Sequence, residues 1–249
     1  MANETSLEKQ PPKSVWTLFV GIVDRPADTF AALLAYPRWK WVLPLILAAL
    51  FTVASAWASA PYASELAQKA AEQQLSGAGM SPEEAQAAMA QTAFFTSPVG
   101  IGIIGSITGA LFLVIVWVAV AALLYFMSLV AGAETNFGSV FTVFSWSSLP
   151  VALRSLVQTI LILATGRFPL YTGLAALQVS GDALQDARNP MIALLSFADI
   201  FWIWHIILLT IGLAVATKFS RGKAFFIALI YVLLSIGLGV GATLLAARA

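Results

Sequence analysis

An acid and the sole histidine of the chain, Asp199 and His205, stand six residues apart in the apolar stretch FADIFWIWHIILLT (197–210). The one base inside a comparable stretch is Arg154, in LPVALRSLVQTILIL (149–163). These residue types could relay a proton, hold an ion, or neutralise one another. A charge inside a bilayer costs about 2.5–3.5 kcal/mol even on the mild insertion scale, so each one needs an explanation. Six helical residues rise about 9 Å and place the two side chains about 120° apart. Asp199 and His205 therefore do not pair on their own helix. Asp199 is expected to meet Arg154 between two consecutive, hence neighbouring, helices, and His205 to donate to an adjacent helix. Asp199 also sits near the outer end of its span, where water or a helix N-terminus can satisfy it. The alternative is that Asp199, Arg154 and His205 mark a proton or ion pathway.

Catalytic patterns are missing. There is no H-E-x-x-H, no G-x-S-x-G and no Walker loop, and Ser106 lacks a nucleophile frame. Aspartyl chemistry inside a membrane needs two acids sharing a site, and Asp199 is alone within its stretch. Without cysteine there is no disulfide, thiolate metal site or thiol nucleophile, and one histidine builds no imidazole cluster. No catalysis, cofactor or metal is expected. A formal charge of +1 argues against nucleic acid as a partner.

What positions the polar residues is a set of membrane helices. The 249 residues are 60% hydrophobic and 10% charged, against about 25% charged in soluble domains. A span needs about 20 apolar residues. Four segments qualify directly: 41–60, 99–130, 192–216 and 224–246. A fifth, 137–166, is broken by Pro150, which removes a backbone donor and kinks a helix. It reads as one kinked span; the other reading is an interfacial helix before Pro150 followed by a short span.

Five spans separate the termini. Lys9, Lys13, Arg25, Arg38, Lys40, Lys218, Arg221 and Lys223 then share one side, against Lys69, Arg167, Arg188 and Arg248 on the other. The basic side faces the cytoplasm, so the N-terminus is expected inside and the C-terminus outside.

Residues 1–40 form a separate N-terminal segment. Its apolar run, VWTLFVGIV (15–23), is too short to cross. After Pro26, Ala27, Phe30, Leu33 and Leu34 repeat at helical spacing, which predicts an amphipathic helix in the interface plane. Arg38, Trp39, Lys40 and Trp41 suit the headgroup layer as anchors. Its role is anchoring or, alternatively, recruitment of a partner.

The remaining 41–249 form the membrane domain, with a polar insert at 61–97. Ser81, Pro82 and Glu84 make a capping box, so a helical hairpin on the outer surface is expected. Gly105 and Gly109 form one G-x-x-x-G, Gly237 and Gly241 another. Both fall in the outer half of the bilayer, and they are expected to pack on each other.

Three stretches carry a resemblance: VDRPADTFAALLAYPRWKWVLPLIL (23–47), FGSVFTVFSWSSLP (137–150) and DIFWIWHIILLTIGLAVATKFSRGKA (199–224). Their Pro-x-x-Thr-Phe opening, Leu-Pro ending and Asp-led Trp span before a basic turn resemble the Yip family of Ypt-interacting membrane proteins, in its bacterial form. The resemblance runs over roughly 14–246 and implies five spans with a cytoplasmic N-terminus, in a bacterial inner membrane. Eukaryotic relatives bind Rab-type GTPases, act in vesicle traffic and carry a cytoplasmic Asp-Leu-Tyr-Gly-Pro motif. That motif is absent here, so GTPase binding is not implied.

The chain thus reads as all-α: an integral membrane five-helix bundle with an N-terminal interfacial amphipathic helix and an outer helical hairpin. The expected function is a non-enzymatic scaffold or adaptor organising the membrane or a membrane complex. Its partners would be the lipid bilayer, and a membrane protein or a second copy of itself. The alternative is a small transporter or channel using Asp199, Arg154 and His205. A cavity reaching all three would favour transport; a packed interior would favour the scaffold.

Overall fold

A computed structural model describes residues 14–35, 39–79, 81–168 and 171–246. Among them eleven α-helices follow in order: α1 Val15–Asp24, α2 Pro26–Ala35, α3 Val42–Gly77, α4 Pro82–Thr96, α5 Pro98–Val130, α6 Phe137–Ser147, α7 Leu149–Thr165, α8 Ala183–Ala187, α9 Pro190–Leu195, α10 Ile200–Thr217 and α11 Arg221–Ala246. A 3₁₀ turn covers Gly173–Leu177. Among the described residues, five helical stretches are long and apolar enough to cross a membrane: α3, α5, α6 with α7, α10 and α11.

The helix through Pro150 is one such stretch, broken at Ser148. Pro150 sits in the first turn of α7, where its missing N–H leaves nothing unsatisfied. Helix α6 is buried on every side from Val140 to Ser147 and packs against α2, α3, α5 and α10. It is the central post of the bundle. A helix surrounded by protein has no need of an amphipathic face, which is why FGSVFTVFSWS shows no clear period.

Thirty-six residues make α3 about 54 Å long, well beyond a hydrocarbon core of about 30 Å. Its second half therefore leaves the bundle and pairs with α4, and Ser64 Oγ donates to the Thr96 carbonyl at 2.6 Å. The capping box at the start of α4 is formed. Glu84 N–H donates to Ser81 Oγ, and Ser81 N–H donates to Glu84 Oε2 at 2.9 Å. These hydrogen bonds hold the Glu84 carboxyl below the usual carboxylate range.

The expected start of the fourth span, residue 192, is displaced. Residues 190–195 form the separate helix α9, which packs on α11, and α10 begins only at Ile200. Asp199 ends the intervening turn and caps the new helix.

The small-residue patches do not meet. Gly105 and Gly109 face α3: a side chain begun at Gly105 meets the Ala56 methyl at 3.4 Å, and one at Gly109 meets Thr52 Cγ2 at 2.9 Å. A side chain begun at Gly237 or Gly241 meets nothing within 4 Å. The first patch serves the most extensive helix pairing of the fold, α3 on α5. Consecutive helices joined through α4 are neighbours by connection, and this outweighs shared depth. Gly109→Leu is accordingly expected to force α3 and α5 apart and cost about 1–3 kcal/mol, while Gly237→Leu stays within about 0.5 kcal/mol. Reversible unfolding of both variants in mixed micelles checks this contrast.

The N-terminal segment is more than a surface anchor. Leu18 and Ile22 of α1 and Thr29, Phe30 and Leu33 of α2 are buried, and α2 packs on α10 and α6. Phe30 is 0% exposed. Gly212 of α10 makes room for it: a side chain there would meet Val143 at 2.5 Å and the Phe30 ring at 3.0 Å. The opposite face of α1 shows Val15, Trp16, Val20 and Val23, with Trp16 75% exposed.

Among the expected anchors, Arg38 lies outside the described residues. Trp39 is exposed. Trp41 instead turns inward, edge-on to Phe141 at 5.2 Å. Lys40 is partly buried, which lowers its ammonium pKa by desolvation, and its carbonyl accepts the Trp146 indole N–H at 3.0 Å.

Candidate functional site

Asp199, Arg154 and His205 form no direct ion pair or hydrogen bond with one another, and Asp199 and His205 are satisfied differently. Asp199 is the N-cap of α10. Its Oδ1 accepts from the backbone N–H of Phe201 at 2.7 Å and of Trp202 at 3.2 Å. These are among the four amides that a helix start leaves unpaired. The side chain is buried, and the helix N-terminus favours its negative charge.

The expected contact with Arg154 is not made: the two charges form no ion pair within 4.0 Å. Asp199 is spent on the amides of its own helix, at the end of α10, while Arg154 lies in the first half of α7. The Arg154 Nε is buried without a hydrogen-bond partner. If the cap is what Asp199 does, Asn serves almost as well and Ala does not. Asp199→Ala is expected to lose about 1–2 kcal/mol and Asp199→Asn only a few tenths, measured by unfolding in mixed micelles. Equal losses in both variants would restore the charge pair.

His205 is 1% exposed. Its Nδ1 lies 2.8 Å from the Ser147 carbonyl oxygen. A carbonyl only accepts, so Nδ1 carries the hydrogen, and in the neutral ring Nε2 is an acceptor. The acceptor is available because Ser147 ends α6, where the last carbonyls lack intrahelical donors. Histidine and the Leu-Pro break therefore belong to one device: the break frees a carbonyl, and His205 satisfies it from the next long helix. Rings close around it. Trp202 stacks at 5.2 Å and 27°, and Phe144 and Tyr231 stand edge-on at 5.7 and 6.0 Å. Helices α6, α10 and α11 are joined at this point.

Trp146, Phe144, Ser147, Trp202 and Tyr231 were not singled out from sequence. An isolated histidine announces a partner but not which carbonyl. The Leu-Pro break was the available signal, since it must leave acceptors unpaired nearby.

Two cavities lie along α10. One of about 210 Å³ reaches His205 and Trp202; neither Asp199 nor Arg154 lies on its wall. The other, about 270 Å³ and apolar, lies between α1, α3, α7 and α10, with Phe19, Phe51, Pro150 and Trp204 on its wall. Among the described residues no group of three His, Cys, Asp or Glu is placed to hold a metal.

Beyond the long helices, Asp186 organises the loop before α9. The Ser180 N–H donates to it at 2.9 Å and the Ser180 hydroxyl at 2.7 Å. The backbone hydrogen bond leads in holding its carboxyl below the usual range, against the effect of burial. Burial, followed by the Asp186 charge, raises the neighbouring Tyr171 phenol.

Five helices long and apolar enough to cross a bilayer, around a core closed by aromatic rings, define an integral membrane protein. The family follows from comparison: the chain belongs to the Yip1 domain family, whose model matches residues 20–243. No curated relative and no solved structure matches it.

Proposed function

We propose that the protein is a non-enzymatic scaffold of a bacterial cytoplasmic membrane that shapes the bilayer through its α1–α2 segment. The observation that carries this is the two-sided character of that segment. One face is locked into the bundle by Leu18, Ile22, Phe30 and Leu33, while Val15, Trp16, Val20 and Val23 face outward. Each helix has ten residues, about 15 Å, and so occupies half a bilayer at most. Apolar volume added to one leaflet alone favours a bilayer bent around it. Locked to five spans, the insertion cannot withdraw as a free amphipathic helix does.

In this reading all five long helices cross, and the basic end, with 25, 40 and 218–223, faces the cytoplasm. The α1–α2 segment then expands the cytoplasmic leaflet. The chain is naturally free of cysteine, so single cysteines report topology directly. Gly222→Cys is expected to react from the cytoplasmic face and Lys69→Cys from outside. The reverse pattern would invert the leaflet in which the segment acts.

Transport through Asp199, Arg154 and His205 gains no support from the geometry, because the cavity beside His205 reaches neither charge. Reconstitution separates the two readings. Proteoliposomes are expected to become smaller as protein is added and to show no ion or solute flux. Unchanged diameters together with a saturable flux would reject the scaffold.

A further inference from the structure

We propose that the cavity beside His205 is a binding site for a small neutral molecule with an apolar body and one hydroxyl. The cavity holds about 210 Å³ and lies where the long helices converge: Thr52 of α3, Trp117 of α5, Ser155 of α7, Trp202 and His205 of α10, and Tyr231 of α11 are on its wall.

Two residues on that wall, His205 and Trp202, carry the proposal. His205 Nε2 and Trp202 Nε1 are both buried and both without a hydrogen-bond partner. Native interiors leave few such groups. Their senses are opposite. Nδ1 holds the imidazole hydrogen, so Nε2 accepts, whereas an indole N–H only donates. They stand three residues apart on one helix with rings stacked at 5.2 Å. A hydroxyl is the simplest group that donates to one and accepts from the other.

The rest of the wall sets the character of the molecule. Leu113, Val116, Phe144 and Val151 are apolar, and no Asp, Glu, Lys or Arg takes part, so a charged ligand finds no counterpart. The hydroxyls of Thr52, Ser148 and Ser155 already donate to carbonyls of their own helices, Ala48, Phe144 and Val151. Apolar walls with a few converging polar atoms are the pattern of a small-molecule site. At about 30 Å³ per water the volume equals about seven waters, enough for a body the size of benzyl alcohol. The α1–α2 segment is not part of the wall, so this site stands or falls apart from membrane shaping.

The single histidine makes the test direct. Protein labelled with [15N]histidine is placed in lipid nanodiscs and titrated with benzyl alcohol. The Nε2 resonance is expected to move saturably to the hydrogen-bonded position, while the Nδ1–H resonance, bonded to Ser147, stays in place. Benzyl methyl ether, which has no O–H to donate, is expected to leave Nε2 unmoved. Ala152→Leu and Val116→Trp fill the cavity from different helices, and each is expected to weaken the response at least tenfold. An unchanged Nδ1–H resonance reports that the variant is folded. A response that never saturates, or that the ether reproduces, is bilayer partition alone and overturns the site. So does an Nε2 already bonded to water and indifferent to the alcohol.

Discussion

Phe30→Ala is expected to cost about 3–5 kcal/mol, the range for truncating a fully buried aromatic side chain. The ring is 0% exposed and fills the space that Gly212 leaves between α10 and α6. Its loss removes the main attachment of α2, and α1 is held largely through α2 and the groove at Phe19 and Ile22. Gly212→Leu attacks the same joint from the other side, since a side chain there starts 2.5 Å from Val143. Both variants should expose the α1–α2 segment to proteolysis while the five long helices remain folded. Limited proteolysis with equilibrium unfolding in mixed micelles reads both effects. Unfolding of the whole bundle in one step, with no early cleavage near 24–26, would mean that the segment is not a separately docked unit.

The second large effect is expected at His205. His205→Ala removes a buried ring and should cost about 3–5 kcal/mol, as for other large-to-small core changes. His205→Phe keeps ring packing against Trp202, Phe144 and Tyr231 and loses only the bond to Ser147. Leaving that carbonyl unsatisfied should cost about 1–3 kcal/mol. The difference between the two variants separates packing from hydrogen bonding. Equal stability of Phe and wild type would show that Ser147 finds another donor, and that the Leu-Pro break does not depend on histidine.

The parts of this fold that were legible in the sequence are those written into one helix at a time. Apolar length marked the five long helices. Ser81 and Glu84 marked the start of α4, because both halves of a capping box lie within four residues. Pro150 marked the break between α6 and α7. What was not legible is which helix faces which. Gly105 and Gly109 face α3: a glycine pair does not name its partner, and Thr52 and Ala56 took the place expected for α11. The direct Asp199–Arg154 contact is not made: two charges in apolar stretches were matched by sign alone. An Asp immediately before a run of Ile, Phe and Trp is also an N-cap signal, and that local reading is the one realised. The depth to which α2 inserts was hidden as well. Its period is visible, but the receiving groove exists only once Gly212 and Val143 are brought together.

The central claim is that α1 and α2 act as a fixed wedge in one leaflet. Thin membrane tubes drawn from giant vesicles containing the labelled protein test this most directly. With the cytoplasmic face on the outside of the tube, the wild-type protein is expected to enrich on the tube relative to the flat membrane, and more so as the tube narrows. A variant with Trp16, Val20 and Val23 all replaced by Ser keeps the buried face of α1 and should lose that enrichment. Equal density of the wild-type protein on tube and flat membrane at every radius would contradict the account.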